Sequence, residues 1–114
     1  MSTTLARSRD EQSVAEALVE KTIDALLADR VEVSIETGSA TISKARGMIF
    51  THKPDLLTPL QAARGLLGEI RLWRIRSPID SAEERILQTF ASQGALAIER
   101  IRLSAADRKA RVLE

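Results

Sequence analysis

Residues 57–103 read LTPLQAARGLLGEIRLWRIRSPIDSAEERILQTFASQGALAIERIRL, and they carry the strongest structural signal in the chain. Segments 56–62 and 66–76 are predicted to be strands joined by a turn at residues 63–65, because glycine closes tight turns. Pro59 lacks a backbone N–H, which favours an edge or a bulge for the first strand. In the second strand apolar and polar positions alternate, so one face is apolar and the other mixed. The stretch therefore predicts a hairpin that leads into a helix.

The final helix is predicted to open with a capping box formed by Ser81 and Glu84 and to continue without proline to about Val112. At a rise of 1.5 Å per residue, roughly 30 residues make a rod of about 45 Å. Such a rod is longer than the body of a domain of this size. Residues 104–114 are therefore predicted to project from the domain.

Apolar residues of this helix fall into two adjoining sectors of the helical wheel. The sector with larger side chains, which includes Ile86 and Phe90, is predicted to pack on the sheet. The second sector has small residues such as Gly94, which allow another helix to approach closely. We predict a homodimer through Leu87, Ala91, Gly94, Ile98, Ile101 and Ala105. The alternative is that both sectors pack against the chain's own first helix and sheet.

The N-terminal half begins with nine polar and small residues, 1–9, which are predicted to be flexible. An amphipathic helix is predicted over residues 10–29, and strict alternation predicts a strand over 31–36. Two more short strands are expected at residues 40–43 and 47–51. The order of helix, about five strands and long helix predicts an α+β fold, with an antiparallel sheet and both terminal helices packed on one face.

Composition narrows the classes of protein to consider. A chain of 114 residues with 44% hydrophobic and 29% charged residues predicts one globular domain. The net charge of +1 gives no reason to expect nucleic-acid binding. Cysteine is absent, which excludes thiolate catalysis and zinc–thiolate sites from this chain. Apolar runs are too short to insert in a membrane, and residues 1–9 lack the apolar centre of a signal peptide, so a cytoplasmic location is expected.

Two motifs of the sequence point to a known family. The last helix carries one at Phe90, Ala91, Gln93, Ala95, Ala97, Ile98, Glu99 and Leu103, and the first strand is entered through the other, Ala28, Asp29, Arg30 and Val31. In these motifs, and over about residues 12–103, the chain resembles the GAF domain family. The resemblance implies a GAF-like domain over residues 10–103 with a regulatory or sensory role. Within the family, residues 97–114 are similar to the segment that leads toward the kinase core in potassium-sensing histidine kinases. That similarity implies an output or kinase domain as partner in a two-component system.

One departure from the family concerns the ligand side of the sheet. GAF domains that bind cyclic nucleotides, haem or bilins enclose them with inserted helices and loops, whereas only 18 residues separate Glu36 from Asp55 here. We therefore predict reduced cover on this side and no cofactor. The leading hypothesis is a non-enzymatic module that relays a signal along its last helix. A small-molecule sensor is the alternative, and a haem or other cofactor-binding sensor is a third.

Candidate ligand-binding residues are Glu69, Arg71 and Trp73, which alternate along one strand face and could offer an arginine–carboxylate or arginine–aromatic site. The alternative is a cross-strand pair beside an amphipathic tryptophan at the sheet edge. His52, the only histidine, is either a haem ligand or proton acceptor, or a solvated loop residue. No catalytic motif or phosphate-binding glycine cluster occurs, so an enzyme is not predicted.

Overall fold

The computed structural model describes the backbone of residues 3–113 and the side chains of residues 9–104. Helix α1 spans Thr3–Leu26 and helix α2 spans Ser81–Leu113. Between them lie four strands, β1 (Arg30–Glu36), β2 (Thr41–Gly47), β3 (Leu56–Ala62) and β4 (Gly65–Trp73). The α+β class with an antiparallel sheet and two terminal helices is thus confirmed.

The four strands form one antiparallel sheet in the order β2-β1-β4-β3. Hydrophobic alternation fixes the register of the central pair, because Val33 lies opposite Ile70 and Val31 opposite Leu72. These side chains are fully buried and define the helix face of the sheet. Their neighbours, such as Glu32 opposite Arg71, belong to the open face, which no helix covers within residues 3–113.

Both helices pack on the helix face and run antiparallel to each other. The pairs Lys21–Gln93 and Glu11–Arg102 show the antiparallel direction, because a residue later in α1 contacts a residue earlier in α2. The core between helices and sheet contains the buried residues Ala15, Leu18, Val19, Leu26, Val31, Val33, Ile35, Leu60, Ile70, Leu72, Leu87, Ala91, Ala95 and Ile98. This layer of helices on one side of a sheet leaves the open face as the free surface of the sheet.

The structure corrects three predicted boundaries. Helix α1 spans Thr3–Leu26 instead of the predicted 10–29, and residues 1 and 2 lie outside the described part of the chain. One strand, β2, replaces the two short strands expected at 40–43 and 47–51, which makes four strands instead of five. The capping box of α2 uses Asp80 and Glu83 rather than Ser81 and Glu84: the Glu83 N–H donates to Asp80 Oδ1 at 2.8 Å.

Candidate functional site

Arg71 lies at the centre of a polar network on the open face. Its Nε donates to Glu32 Oε1 at 3.1 Å, its Nη1 donates to Glu69, and its Nη2 donates to Ser34 Oγ at 2.8 Å. Arg30 Nε in turn donates to Glu32 Oε2 at 2.9 Å. Two arginines and two glutamates thus neutralise each other across β1 and β4. The structure brings the predicted pair Glu69 and Arg71 into contact, but it satisfies Arg71 with protein carboxylates.

Trp73 is on the same face of β4, directly opposite Arg30 of the network, but a loop covers its side chain. The residue is 5% exposed, Phe50 stacks parallel to its ring at a centroid distance of 6.3 Å, and its Nε1 donates to the His52 carbonyl oxygen at 3.0 Å. We name residues 48–55 the cover segment, since they lie over this end of the sheet. The His52 ring is exposed and packs edge-to-face on Phe50. Trp73 therefore anchors a loop, and it does not line a site shared with Glu69 and Arg71.

A depression of about 180 Å³ lies beside the network, toward the other end of the open face. It is lined by Ser34, Glu36, Thr41, Leu66, Gly68, Glu69 and Arg71. Small-molecule sites commonly measure about 300 Å³ or more. Neither Trp73 nor His52 lines this depression.

Most of the residues predicted to form a dimer interface are buried within one chain. Leu87 and Ile98 are fully buried and Ala91 is 2% exposed. Gly94 packs on α1 so closely that a Cβ there would lie 2.7 Å from Leu18 Cδ1. The prediction that these four residues face a partner is wrong, because the chain's own first helix and sheet occupy that sector. Ile101 is half-buried, and the side chain of Ala105 lies outside the described residues.

The surface of α2 opposite the core carries a different apolar pattern. Ile86, Leu96 and Leu103 are 41%, 49% and 45% exposed. Residues 89, 96 and 103 are spaced by seven, and residues 86, 93 and 100 precede them by three, which is the spacing of a coiled-coil seam. We name this surface the outer stripe; its members are Ile86, Thr89, Gln93, Leu96, Arg100 and Leu103.

Sequence reasoning missed a buried arginine that joins both helices to the sheet. Arg74 follows β4, and its side chain is 6% exposed. Its guanidinium donates to the Leu26 carbonyl at the end of α1 (2.9 Å) and to both carboxylate oxygens of Glu83 in the first turn of α2. It also donates to the carbonyl oxygens of Ser77 (3.1 Å) and Pro78 (2.7 Å). We name this group the Arg74 joint.

Backbone hydrogen bonds attach the joint to neighbouring loops. The Arg74 N–H donates to Asp55 Oδ2 at 2.8 Å, and the Ile75 N–H donates to Asp29 Oδ2 at 2.6 Å. The hydrogen bonds from Arg74 and from the Asp80 N-cap lower the pKa of Glu83 to about 2, and the hydrogen bond with Glu83 raises the pKa of Arg74. The pair is therefore ionised at neutral pH. The only sequence signal for it was the spacing of Asp80 and Glu83, which is that of a capping box.

Solved structures provide the comparison that identifies the fold. The blue-light-absorbing form of the PixJ GAF domain from Thermosynechococcus elongatus superposes with a TM-score of 0.69 at 16% identity, over 93% of this chain and 95% of that one. The second GAF domain of DevS from Mycobacterium smegmatis gives 0.65 at 14% identity, over 89% of this chain and 99% of that one. The chain has the GAF fold.

A further structure with this fold is a domain assigned to a two-component sensor histidine kinase from Sinorhizobium meliloti, with a TM-score of 0.65 at 18% identity over 84% of this chain and 95% of that one. No family model and no curated protein matches the sequence. Identities of this size establish the GAF fold and leave the role of individual residues to the geometry of this chain.

No group of three or more His, Asp or Glu side chains is arranged as metal ligands among the residues the structure describes. Nor does either helix, over its described length, contain an apolar stretch long enough to cross a membrane.

Proposed function

We propose that this chain is a sensory GAF module of a larger cytoplasmic signalling protein, without catalytic activity of its own. In this proposal two copies associate through their terminal helices, and α2 carries the signal toward an output or kinase domain. The observation that carries the proposal is the outer stripe of α2, where exposed Ile86, Leu96 and Leu103 lie at coiled-coil positions along a helix of 33 residues.

The outer stripe has the properties of a helix–helix contact. Large apolar side chains that are nearly half exposed and seven residues apart gain free energy when a second helix covers them. A twofold pair of parallel α2 helices places each stripe residue opposite its own copy, which is the usual symmetry of soluble dimers. Thr89, Gln93 and Arg100 make half of the stripe polar, so we expect an association of moderate strength rather than an obligate dimer.

Relay along α2 is supported by the continuity of the helix. Its first turn is held by Glu83 in the Arg74 joint, its middle is packed in the core through Leu87 and Ile98, and its backbone continues to Leu113. A small shift at the first turn therefore moves the whole rod, because packed helices respond by sliding or rotating rather than by bending locally. The predicted similarity of residues 97–114 to potassium-sensing histidine kinases is part of this proposal.

Sedimentation equilibrium tests the dimer directly. We expect the natural chain to show a concentration-dependent mass approaching twice the monomer mass of 12.5 kDa, and Leu96→Glu to remain monomeric. Leu57→Glu is the matched control, because Leu57 is 50% exposed but lies on the open face. A natural chain that stays monomeric at high concentration, or a Leu96→Glu variant that dimerises like Leu57→Glu, would exclude the outer stripe as the interface.

Small-molecule sensing on the open face has weaker support. The depression of about 180 Å³ is small for a metabolite, and Arg71 already holds two carboxylates. Fluorescence of Trp73, the only tryptophan, is an indirect assay for this alternative, because Trp73 lies on the same face of the sheet but does not line the depression. A saturable change in its emission with a small molecule would favour sensing at this face.

A further inference from the structure

Two adjacent residues, Trp73 and Arg74, contact opposite layers of the molecule. The Trp73 ring holds the cover segment on the open face through Phe50 and the His52 carbonyl. The Arg74 guanidinium holds the ends of both helices on the other side of the sheet. A displacement of the backbone at this position therefore affects both layers at once.

The cover segment and the joint also share a second connection. Asp55, the last residue of the cover segment, accepts the Arg74 N–H at 2.8 Å and donates its own N–H to the Leu72 carbonyl at 2.8 Å. The cover segment is thus tied to the end of β4 at its middle, by Trp73, and at its end, by Asp55. Movement of the cover away from the sheet cannot occur without a change at these two residues.

Every N–H group of the Arg74 guanidinium is already hydrogen-bonded within the joint. The five N–H groups of the Arg74 guanidinium match the five hydrogen bonds it makes, to Leu26, Ser77, Pro78 and both oxygens of Glu83. A bidentate arginine–carboxylate pair is directional, so a shift of the guanidinium either carries Glu83 with it or breaks the pair. Either response changes the position of the first turn of α2.

We propose that the Arg74 joint couples the position of the cover segment to the position of the first turn of α2. The inference rests on the proposed relay along α2 and names its input: release or closure of residues 48–55 over Trp73. Arg74 and Glu83 act here as positioning residues. Because coupling between two sites is reciprocal, loosening the helix end must also loosen the cover.

Native-state hydrogen exchange on Glu83→Gln tests this coupling within one chain. We expect amide exchange in residues 48–55 to become on the order of tenfold faster, a larger increase than in residues 31–35 of the central strand, whose exchange follows the global stability of the chain. Glu84→Gln is the matched control, since Glu84 is the exposed neighbour. Faster exchange confined to residues 74–84, or equal acceleration in every element, would overturn the proposal.

The reciprocal variant acts from the other layer. Phe50→Leu keeps an apolar side chain but removes the ring that stacks on Trp73, and we expect faster exchange at the amides of Glu83 and Glu84. Phe50 and Glu83 belong to different layers. If their substitutions act independently, the factors by which each raises the exchange rate multiply in the double variant. We expect the exchange rate of the double variant to be lower than the rate this multiplication gives. A rate equal to the multiplied value would contradict the coupling. These measurements do not depend on dimerisation, so a monomeric chain could still contain the joint.

Discussion

At Gly68 the backbones of β1 and β4 lie too close together to leave room for a side chain. A Cβ added there would lie 1.9 Å from the Ser34 carbonyl oxygen, a backbone atom that cannot rotate away. We expect Gly68→Ala to lower the free energy of unfolding by about 3 kcal/mol, at the upper end of the usual cost of overpacking, because the strand pair must separate locally. Urea denaturation measures this difference.

Gly94→Ala is the informative control for that prediction. The added Cβ would lie 2.7 Å from Leu18 Cδ1, which is the flexible end of a side chain. Alanine also gains about 1 kcal/mol over glycine in a helix interior. The net change in stability is therefore expected to stay within about 1 kcal/mol of zero. Equal losses in the two variants would show that the close approach at Gly68 is relieved by movement of β1.

Glu83 gives the protein an acid-sensitive contact. Its pKa in the folded chain is about 2, below the ordinary value of 4.5, so the carboxylate contributes stability above pH 4.5 that is lost as the pH falls toward 2. We expect Glu83→Gln to be less stable than the natural chain at pH 7 and to lose less stability between pH 4.5 and pH 2. Urea unfolding at several pH values measures both slopes. Parallel slopes would contradict ionisation-dependent pairing with Arg74.

Substitutions on the buried side and on the outer side of helix α2 should differ in their effect on the free energy of unfolding. Leu87 is fully buried, whereas Leu96 is 49% exposed. We expect Leu87→Ala to cost about 2–5 kcal/mol, because it leaves a cavity in the core. Leu96→Ala should cost the folded monomer less than about 1 kcal/mol. Denaturation at a concentration where the chain is monomeric measures both, and similar losses would place Leu96 in the core.

Periodicity predicted the elements of the chain better than their environments. Alternation over residues 31–36 and 66–76 predicted the central strands and their two faces, although β4 ends at Trp73, because one face is buried and the register is fixed by that burial. Segment 47–51 contains apolar residues that favour a strand. Instead, its Phe50 packs on Trp73, a contact between residues distant in sequence. No local pattern contains that information.

The helical wheel likewise located apolar sectors without identifying their partners. Small residues around Gly94 indicated close approach of another helix, and the structure shows that this helix is α1 of the same chain. Sequence reasoning missed the seven-residue spacing of Leu96 and Leu103, although it is present in the sequence. The Arg74 joint was not predictable from periodicity, because most of its acceptors are backbone carbonyls.

The whole molecule is elongated, with extents of 56 × 25 × 20 Å. The 33 residues of α2 account for about 50 Å at 1.5 Å per residue, so this helix sets the long dimension. The outer stripe follows that dimension from Ile86 to Leu103, whereas the open face lies on the opposite side of the sheet. A dimer through the stripe would therefore leave the open face and the cover segment accessible in both copies.

Thermal stability of the assembled molecule should depend on its concentration. If two folded chains associate and unfolded chains do not, mass action raises the stability of the folded state as protein concentration rises. We expect the Tm of the natural chain to increase over a hundredfold range of concentration and the Tm of Leu96→Glu to stay constant. Leu57→Glu should keep the concentration dependence, because its substitution lies away from α2. A constant Tm in the natural chain, together with a constant monomer mass, would contradict association through the outer stripe and leave the Arg74 joint to be judged by hydrogen exchange alone.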